Sequence, residues 1–256
     1  MARIFITGSS DGLGLLAGRQ LAAEGHEVVL HARDDARAAD TRARLPGCGA
    51  VITGDASTRS GIRAVAAAVN ALGGFDAIIH NVGTGYHDAC RHETADGLSR
   101  TFAVNVLAPY MLTALIARPR RLIYLSSGLH NGGNADLADA QWEKRPWNAI
   151  QAYSDTKLHD MILMLAVARR WPDVLANAVD PGWVPTRMGG AEAPGDLALG
   201  ANTQAWLAVS DDPQARTTGR YFHHRQLRPI AAAARDPAVQ QELLAYLEQI
   251  SGVSLD

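Results

Sequence analysis

Short apolar runs alternate with longer helical patterns along nearly the whole chain, and that alternation leaves few folds open. The runs Arg3–Ile6, Val28–His31, Ala50–Thr53, Ala77–His80, Leu122–Leu125 and Leu175–Val179 are flanked by turn residues and predict strands. Helical patterns lie near Leu13–Glu24, Asp34–Arg44, Ser57–Leu72, Leu98–Ala117 and Ala152–Trp171. A last helix, about Pro237–Ile250, follows an expected final strand at Arg220–His223. Strands apolar along their whole length must be covered on both faces, and the intervening helices supply the cover. Right-handed crossovers then give one doubly wound α/β domain over residues 1–256, with a mostly parallel sheet of seven strands. The segment Gly128–Ile150 breaks the rhythm. It is long for a loop and holds Trp142 and Trp147, so it reads as an ordered insertion on the substrate side.

Composition narrows the function classes. Apolar content of 47% and charged content of 20% fit a globular chain with a real core. A net charge of −2 gives no electrostatic reason to expect nucleic acid or an anionic membrane as partner. The cluster Arg118-Pro119-Arg120-Arg121 is short and reads as a solvated turn. Cys48 and Cys90 lack metal-ligand spacing and read as reduced cysteines of a cytoplasmic protein. No His-x-x-x-His pair falls on an expected helix, and His223-His224 would point to opposite faces of a strand, so no metal is expected. A strand beginning by Arg3 leaves no room for a signal peptide, and the run Met161–Ala168 is too short to span a bilayer.

Between the first strand and first helix stands Thr7-Gly8-Ser9-Ser10-Asp11-Gly12-Leu13-Gly14. Glycines there let the backbone turn tightly and approach a pyrophosphate, whose charge the helix N-terminus meets. The second strand ends His31-Ala32-Arg33, without the carboxylate that would hold a free ribose 2′-hydroxyl. Ala32 is neutral and Arg33 is a fork-shaped cation suited to a 2′-phosphate, which favours NADP(H) over NAD(H). The competing role for Arg33 is a surface pair with Asp34 or Asp35, and Asp11 is mildly unfavourable to an anion. Gly54-Asp55-Ala56-Ser57 and Asn81-Val82-Gly83 follow the third and fourth strands, at the carboxyl edge where ligands of such sheets bind.

Tyr153-Ser154-Asp155-Thr156-Lys157 is the second motif. Only two of the 24 basic residues are lysine, so lysine is placed sparingly. Positions i and i+4 share one helix face, and a cation beside a phenol makes it a usable proton donor or acceptor. The bland reading is an aromatic–cation pair on a solvated face.

With these pieces in order, the chain resembles the short-chain dehydrogenase/reductase family over nearly its whole length. The matching stretches are TGSSDGLG at 7–14, GDAS at 54–57, HNVG at 80–83, FAVNV at 102–106, YLSSG at 124–128, YSDTK at 153–157 and DPGWVPT at 180–186. The resemblance implies a Rossmann fold and a catalytic tetrad of Asn105, Ser127, Tyr153 and Lys157. It also implies cofactor contacts from Gly8, Ser10, Gly12, Leu13, Gly14, Arg33, Asp55, Ala56, Asn81 and Gly83, then from Pro181, Gly182, Val184 and Thr186. In that scheme Ser127 bonds the carbonyl oxygen, Tyr153 supplies the proton, Lys157 depresses the phenol and bonds the nicotinamide ribose, and Asn105 anchors a water. His80 and Val82 depart from the family's usual Asn-Asn-Ala-Gly turn. The 26 residues from Ser127 to Tyr153 are about twice the common spacing and resemble, loosely, the retinol-dehydrogenase and protochlorophyllide-reductase branch.

Thr84, His87, Leu129, His130, Trp147, Trp183 and 188–197 are the substrate-side candidates, the last as a possible lid over about 188–198. Trp147 and Trp183 suggest an apolar or aromatic carbonyl or alcohol as the small-molecule partner. Leu158, Ile162 and Leu165 form one apolar stripe of a helix, and Met161, Met164 and Ala168 a second. The second stripe calls for a homodimer mate or for cover by 128–150. A dinucleotide-sensing module on the same fold is the competing function, although it gains nothing from an intact Ser–Tyr–Lys set. A sugar-nucleotide epimerase or dehydratase is disfavoured, because no sizeable second domain follows the sheet.

Overall fold

The structure is a computed structural model that describes all residues 1–256. Strands β1 (Arg3–Ile6), β2 (Glu27–Ala32), β3 (Ala50–Thr53), β4 (Ala77–His80), β5 (Arg121–Leu125), β6 (Leu175–Asp180), β7 (Arg220–His223) and β8 (Gln226–Leu227) form one sheet in the order β3-β2-β1-β4-β5-β6-β7-β8. All neighbours are parallel except β7 and β8. The strand order reverses between β1 and β4, so a crevice opens at their carboxyl ends.

Side chains alternate across the sheet as the pleat requires. Ile4 and Ile6 face a core built with helices α1 (Gly12–Ala23), α2 (Asp35–Arg44) and α7 (Leu197–Val209). Phe5, Ile78 and Tyr124 face a larger core with α3 (Arg59–Ala71), α5 (Ala108–Leu115), α6 (Ala149–Arg170) and α8 (Pro237–Ser251). The helix expected over 98–117 is broken into α4 (Arg100–Phe102), a π-helical turn at Ala103–Leu107, and α5. Asn148 caps α6 by accepting the Gln151 N–H at 3.0 Å, which starts that helix three residues earlier than the sequence pattern suggests.

Two corrections concern the sheet and its cover. The sheet has eight strands, not seven. β8 is two exposed residues joined to β7 through His224 and Arg225, both at positive φ (49° and 62°), in a tight two-residue turn. No apolar run announces so short a strand. Helix α7 was absent from the expected set because it has no single apolar face: it packs against α1 on one side and the sheet on the other.

The apolar stripes of α6 find cover within the chain. Leu158, Met161, Ile162 and Met164 are all buried within the single chain. Cover comes from the sheet, from the 3₁₀ turn Gly128–Gly132 that opens the insertion, from α8 and from the short 3₁₀ turn Ala232–Arg235. The segment is sealed by Tyr110 Oη donating to Val253 O (2.7 Å), Trp171 Nε1 donating to Asp256 O (2.8 Å), and Phe102 lying edge-on to Tyr246 at 5.9 Å. Most of both stripes is thus covered inside the chain, by the start of the 128–150 insertion as well as by α8, while Leu165 and Ala168 stay half-buried.

Leu247 on α8 is fully buried in this contact. Leu247→Ala is expected to lower stability by about 2–5 kcal/mol. Urea denaturation checks this; a loss below about 1 kcal/mol would mean that α8 is not packed as described.

Candidate active site

The loop after β1 is shaped before any ligand arrives. Gly8 (φ 60°) and Gly12 (φ 53°) adopt the left-handed region, and a Cβ on Gly8 would lie 2.7 Å from Val82 Cα. A Cβ on Gly14 would lie 2.5 Å from Asn81 Nδ2, so that glycine serves close packing under the loop. Asn81 Nδ2 donates to the carbonyls of Thr7 (3.0 Å) and Gly8 (2.9 Å), and Thr7 Oγ1 accepts from the N–H groups of Asn81 and Val82, each at 3.0 Å. His31 ties the loop to the next strand. Its Nδ1 accepts the Gly8 N–H at 3.0 Å, leaving Nε2–H to donate to Gly54 O at 2.9 Å. Burial lowers the His31 pKa and keeps the ring neutral in that tautomer. No side chain caps the first turn of α1, so its N–H groups remain free to meet an anion.

A cleft of about 540 Å³ runs from this loop to α6. Gly8, Ser10, Gly12, Leu13, Arg33, Asp55, Ala56, Asn81, Gly83, Pro181 and Thr186 line it, as do Tyr153 and Lys157. Arg33 stands at the far end, its Nε 3.6 Å from Asp34 Oδ2, an exposed and weak pair that leaves the fork available. The sequence reading missed Arg37, one turn into α2, which lines the same end and pairs with Asp11 at 3.7 Å. Arg187 holds the same carboxylate at 3.8 Å, so the mildly unfavourable Asp11 is answered by two guanidinium groups. Arginine at i+4 from Arg33 was the available signal.

At the α6 end the phenol of Tyr153 is buried, and burial pushes its pKa up, with Tyr86 adding to the rise and Ser127 opposing it. Tyr86 packs edge-on against Tyr153 at 5.2 Å. Lys157 Nζ donates to Leu125 O at 2.5 Å and lies 5.6 Å from the Tyr153 ring centre. The sequence expectation that Lys157 pulls the phenol down is not what the chain alone does: burial dominates and leaves a neutral phenol. Burial likewise lowers the Lys157 pKa, while Asp160 and Asp180 raise it. Asn105 sits in the π-helical turn and spends its amide on the chain. Its Oδ1 accepts Thr84 N–H at 2.8 Å, and its Nδ2 donates to Thr84 O (3.1 Å) and Thr156 Oγ1 (3.0 Å). It thereby ties the loop after β4 to α6.

Several expected site residues stand outside the cleft lining. Ser127 precedes the 3₁₀ turn Gly128–Gly132, accepting Leu129 N–H at 3.2 Å. Val184 is buried against Gly195 and Gly200, and Gly182 (φ 80°) lets the chain pass His223. Leu129 and Trp183 are 41% and 56% exposed, and Trp183 Nε1 donates to Gly189 O at 2.8 Å. His130 is fully buried and bonds Ser127 O and Ala231 N–H, so it is structural. Trp147 does not reach the cleft either: Nε1 donates to Asp88 O at 2.9 Å and anchors the loop after β4. Near Tyr153 the cleft is lined instead by Thr84, His87, Asp88, Arg100, Val104 and Met188. Arg100 donates to both Asp88 oxygens, at 2.7 and 2.6 Å. Segment 188–198 crosses near this end, and the His87 ring Nε2 bonds Met188 O at 2.9 Å.

The sequence profile of the family described as short chain dehydrogenase matches residues 2–196. An uncharacterised oxidoreductase of Emericella nidulans is 42% identical, covering 100% of this chain and 99% of its own. Retinol dehydrogenase 13 of Homo sapiens is 28% identical, covering 98% and 84%. An uncharacterised protein from Mycobacterium paratuberculosis superimposes with a TM-score of 0.86 at 24% identity, covering 100% and 95%. A blue fluorescent protein from a metagenomic library, solved in complex with NADPH, superimposes with a TM-score of 0.66 at 24% identity, covering 87% and 95%. Both structures share the fold.

The insertion is fastened to α6 by Arg145, whose guanidinium donates to buried Asp155 at 2.7 Å and stacks 3.6 Å over the Trp142 ring. Asp155 also accepts from Asn134 N–H and Gln151 Nε2, each at 2.8 Å. Arg145→Met is expected to destabilise the chain by about 1–3 kcal/mol, because the carboxylate is left without its cation. Adding Asp155→Asn should recover most of that loss in thermal melts. Strict additivity of the two changes would show that the pair is not coupled.

Proposed function

The chain belongs to the short-chain dehydrogenase family, and from that premise we propose that it is an NADP(H)-dependent oxidoreductase interconverting a carbonyl and an alcohol. The observation that carries the reading is one cleft shared by the glycine loop, Arg33 and the pair Tyr153–Lys157. The chain's residues fit the cofactor: a loop where a Cβ on Gly8 would strike Val82, a helix N-terminus with no side-chain cap, and Arg33 with Arg37 at the far end. When bound, NADP(H) supplies or accepts the hydride. Arg33 and Arg37 would hold the 2′-phosphate, and Lys157 the nicotinamide ribose.

Tyr153 does the proton work. A phenol kept neutral by burial is in the correct state to protonate the oxygen of a carbonyl under reduction. Ser127 orients that oxygen, and Asn105 holds the loop after β4 against α6 so that Tyr86 and Thr84 keep their places. For the substrate, the polar lining from Thr84 to Arg100 points to a molecule with polar groups near the reacting carbon. An apolar portion would meet Leu129 and Trp183, the exposed side chains beside Ser127 and Pro181. Segment 188–198 acts as the lid, hinged on its bond to His87. The unpaired cysteines Cys48 and Cys90 agree with a reducing, cytoplasmic setting, and no helix is long and apolar enough to cross a membrane.

The following outcomes test this. Tyr153→Phe should lower NADPH-linked carbonyl reduction by about 10²–10⁴-fold while NADPH binding, read by fluorescence titration, is retained; wild-type rates in the variant would remove Tyr153 as proton donor. Binding of NADPH by the wild type without turnover of any carbonyl panel would make the chain a dinucleotide-binding module instead. Arg33→Ala should weaken NADPH by about 10- to 150-fold and leave NADH nearly unchanged, whereas equal losses would make Arg33 structural. Sedimentation at micromolar concentration decides between the expected homodimer and a single 27.3 kDa species, the latter leaving the α6 stripes to cover within the chain.

A further inference from the structure

Asp160 lies three residues beyond Lys157 and seven beyond Tyr153 on α6, so the three side chains share one helix face. It is 2% exposed, and its Oδ2 has no hydrogen-bond partner in the chain. A carboxylate buried in this way is costly unless a cation or a donor answers it. The groups that act on it or feel its charge are Lys157 and Tyr153 on its own helix and Tyr124 on β5. Tyr124 leads further inward. Its hydroxyl bonds Thr113 Oγ1 on α5 at 2.8 Å, and Thr113 bonds His80 Nε2 at the end of β4 at 3.0 Å. His80 is kept neutral by burial, which lowers its pKa to about 3, and Asp180 on β6 is the other anion acting on Lys157. A buried hydrogen-bonded chain therefore runs from Tyr124 through Thr113 to His80 on the core side of α6, and Asp160 is the buried acid one helical turn from Lys157.

We propose that Asp160 is a positioning residue that holds Lys157 as an ammonium from the core side, leaving the cleft side of that lysine to cofactor and substrate. The proposal rests on the oxidoreductase reading of Tyr153 and Lys157. A desolvated ammonium sheds its proton readily, and the charge of Asp160, with that of Asp180, opposes that loss at Lys157. Burial pushes the Asp160 carboxyl itself up to about 7, with Lys157 pulling it back. The sign follows. Above this titration the carboxylate is charged and keeps Lys157 protonated to higher pH. Below it the carboxyl is neutral and the support is gone. Removing the charge should thus move only the alkaline limit of activity, and move it downward.

Infrared difference spectra of the intact protein between about pH 5 and about pH 9 read the pair without any turnover. In the wild type a buried protonated carboxyl should titrate near neutrality; the band should vanish in Asp160→Asn. In Lys157→Met, which leaves Asp160 in place, its midpoint should rise by at least about one pH unit, because the ammonium no longer favours the carboxylate. A midpoint indifferent to Lys157→Met overturns the pairing, whether or not carbonyl reduction is ever found. In NADPH-linked reduction, Asp160→Asn should shift the alkaline limb of kcat down by at least about one pH unit, with the acid limb and the KM for NADPH kept. Coincident alkaline limbs in the two proteins overturn the positioning role. Absence of activity in the wild type would instead strike the oxidoreductase reading and leave the infrared result to decide the pairing.

Discussion

Helix α6 is enclosed on nearly every side, and the chemistry of the site depends on that enclosure. Sheet, α8, the 3₁₀ turn before it and the insertion after β5 all pack on this one helix. The low dielectric they create is what pushes Tyr153 up and Lys157 down, and it is why Asp160 retains a proton to near neutrality. In water the same i, i+4 pair would be an ordinary aromatic–cation contact. The α8 helix, remote in sequence from Tyr153, thus contributes to the environment of the phenol by excluding solvent.

Such an enclosure works only if the buried polar groups are answered, and most are answered by backbone. Asn105 and Thr7 each satisfy loop groups that would otherwise be unpaired; Thr7 ties the end of β1 to that of β4, and Asn105 ties the loop after β4 to α6. His31 does the same between the glycine loop and β3. These contacts keep the cleft open without a ligand, which favours binding by limiting the ordering required. Exposed ion pairs have a different role. Asp11 with Arg37 and Arg187, and Arg33 with Asp34, are long and solvated, so they contribute little stability and leave the guanidinium groups free to turn to a phosphate.

The insertion shows how one long loop becomes rigid. Arg145 reaches buried Asp155 and stacks on Trp142, which is itself held at φ 56°. Trp147 then fastens the loop after β4 through Asp88. Asp88 in turn holds Arg100 in the cleft lining, so the polar lining there is positioned from the insertion rather than from the sheet.

The order of strands and helices, the glycine loop, Arg33 and the Tyr153–Lys157 pair were all legible in the residues, because each is a local pattern: a run, a period or a fixed spacing. The limits of that reading are physical. Helix α7 is buried on two sides and has no apolar stripe to betray it, and β8 is too short to carry one. Trp147 and His130 stand close to the site in sequence, yet their side chains satisfy backbone groups elsewhere. The stripe of Met161 and Met164 was correctly apolar, but a stripe states only that it must be covered. Tertiary structure decided that the sheet, the insertion and α8 share that cover. The sign of the Tyr153 shift was likewise beyond the sequence, since spacing brings a cation near a phenol while only packing determines how much water is left between them.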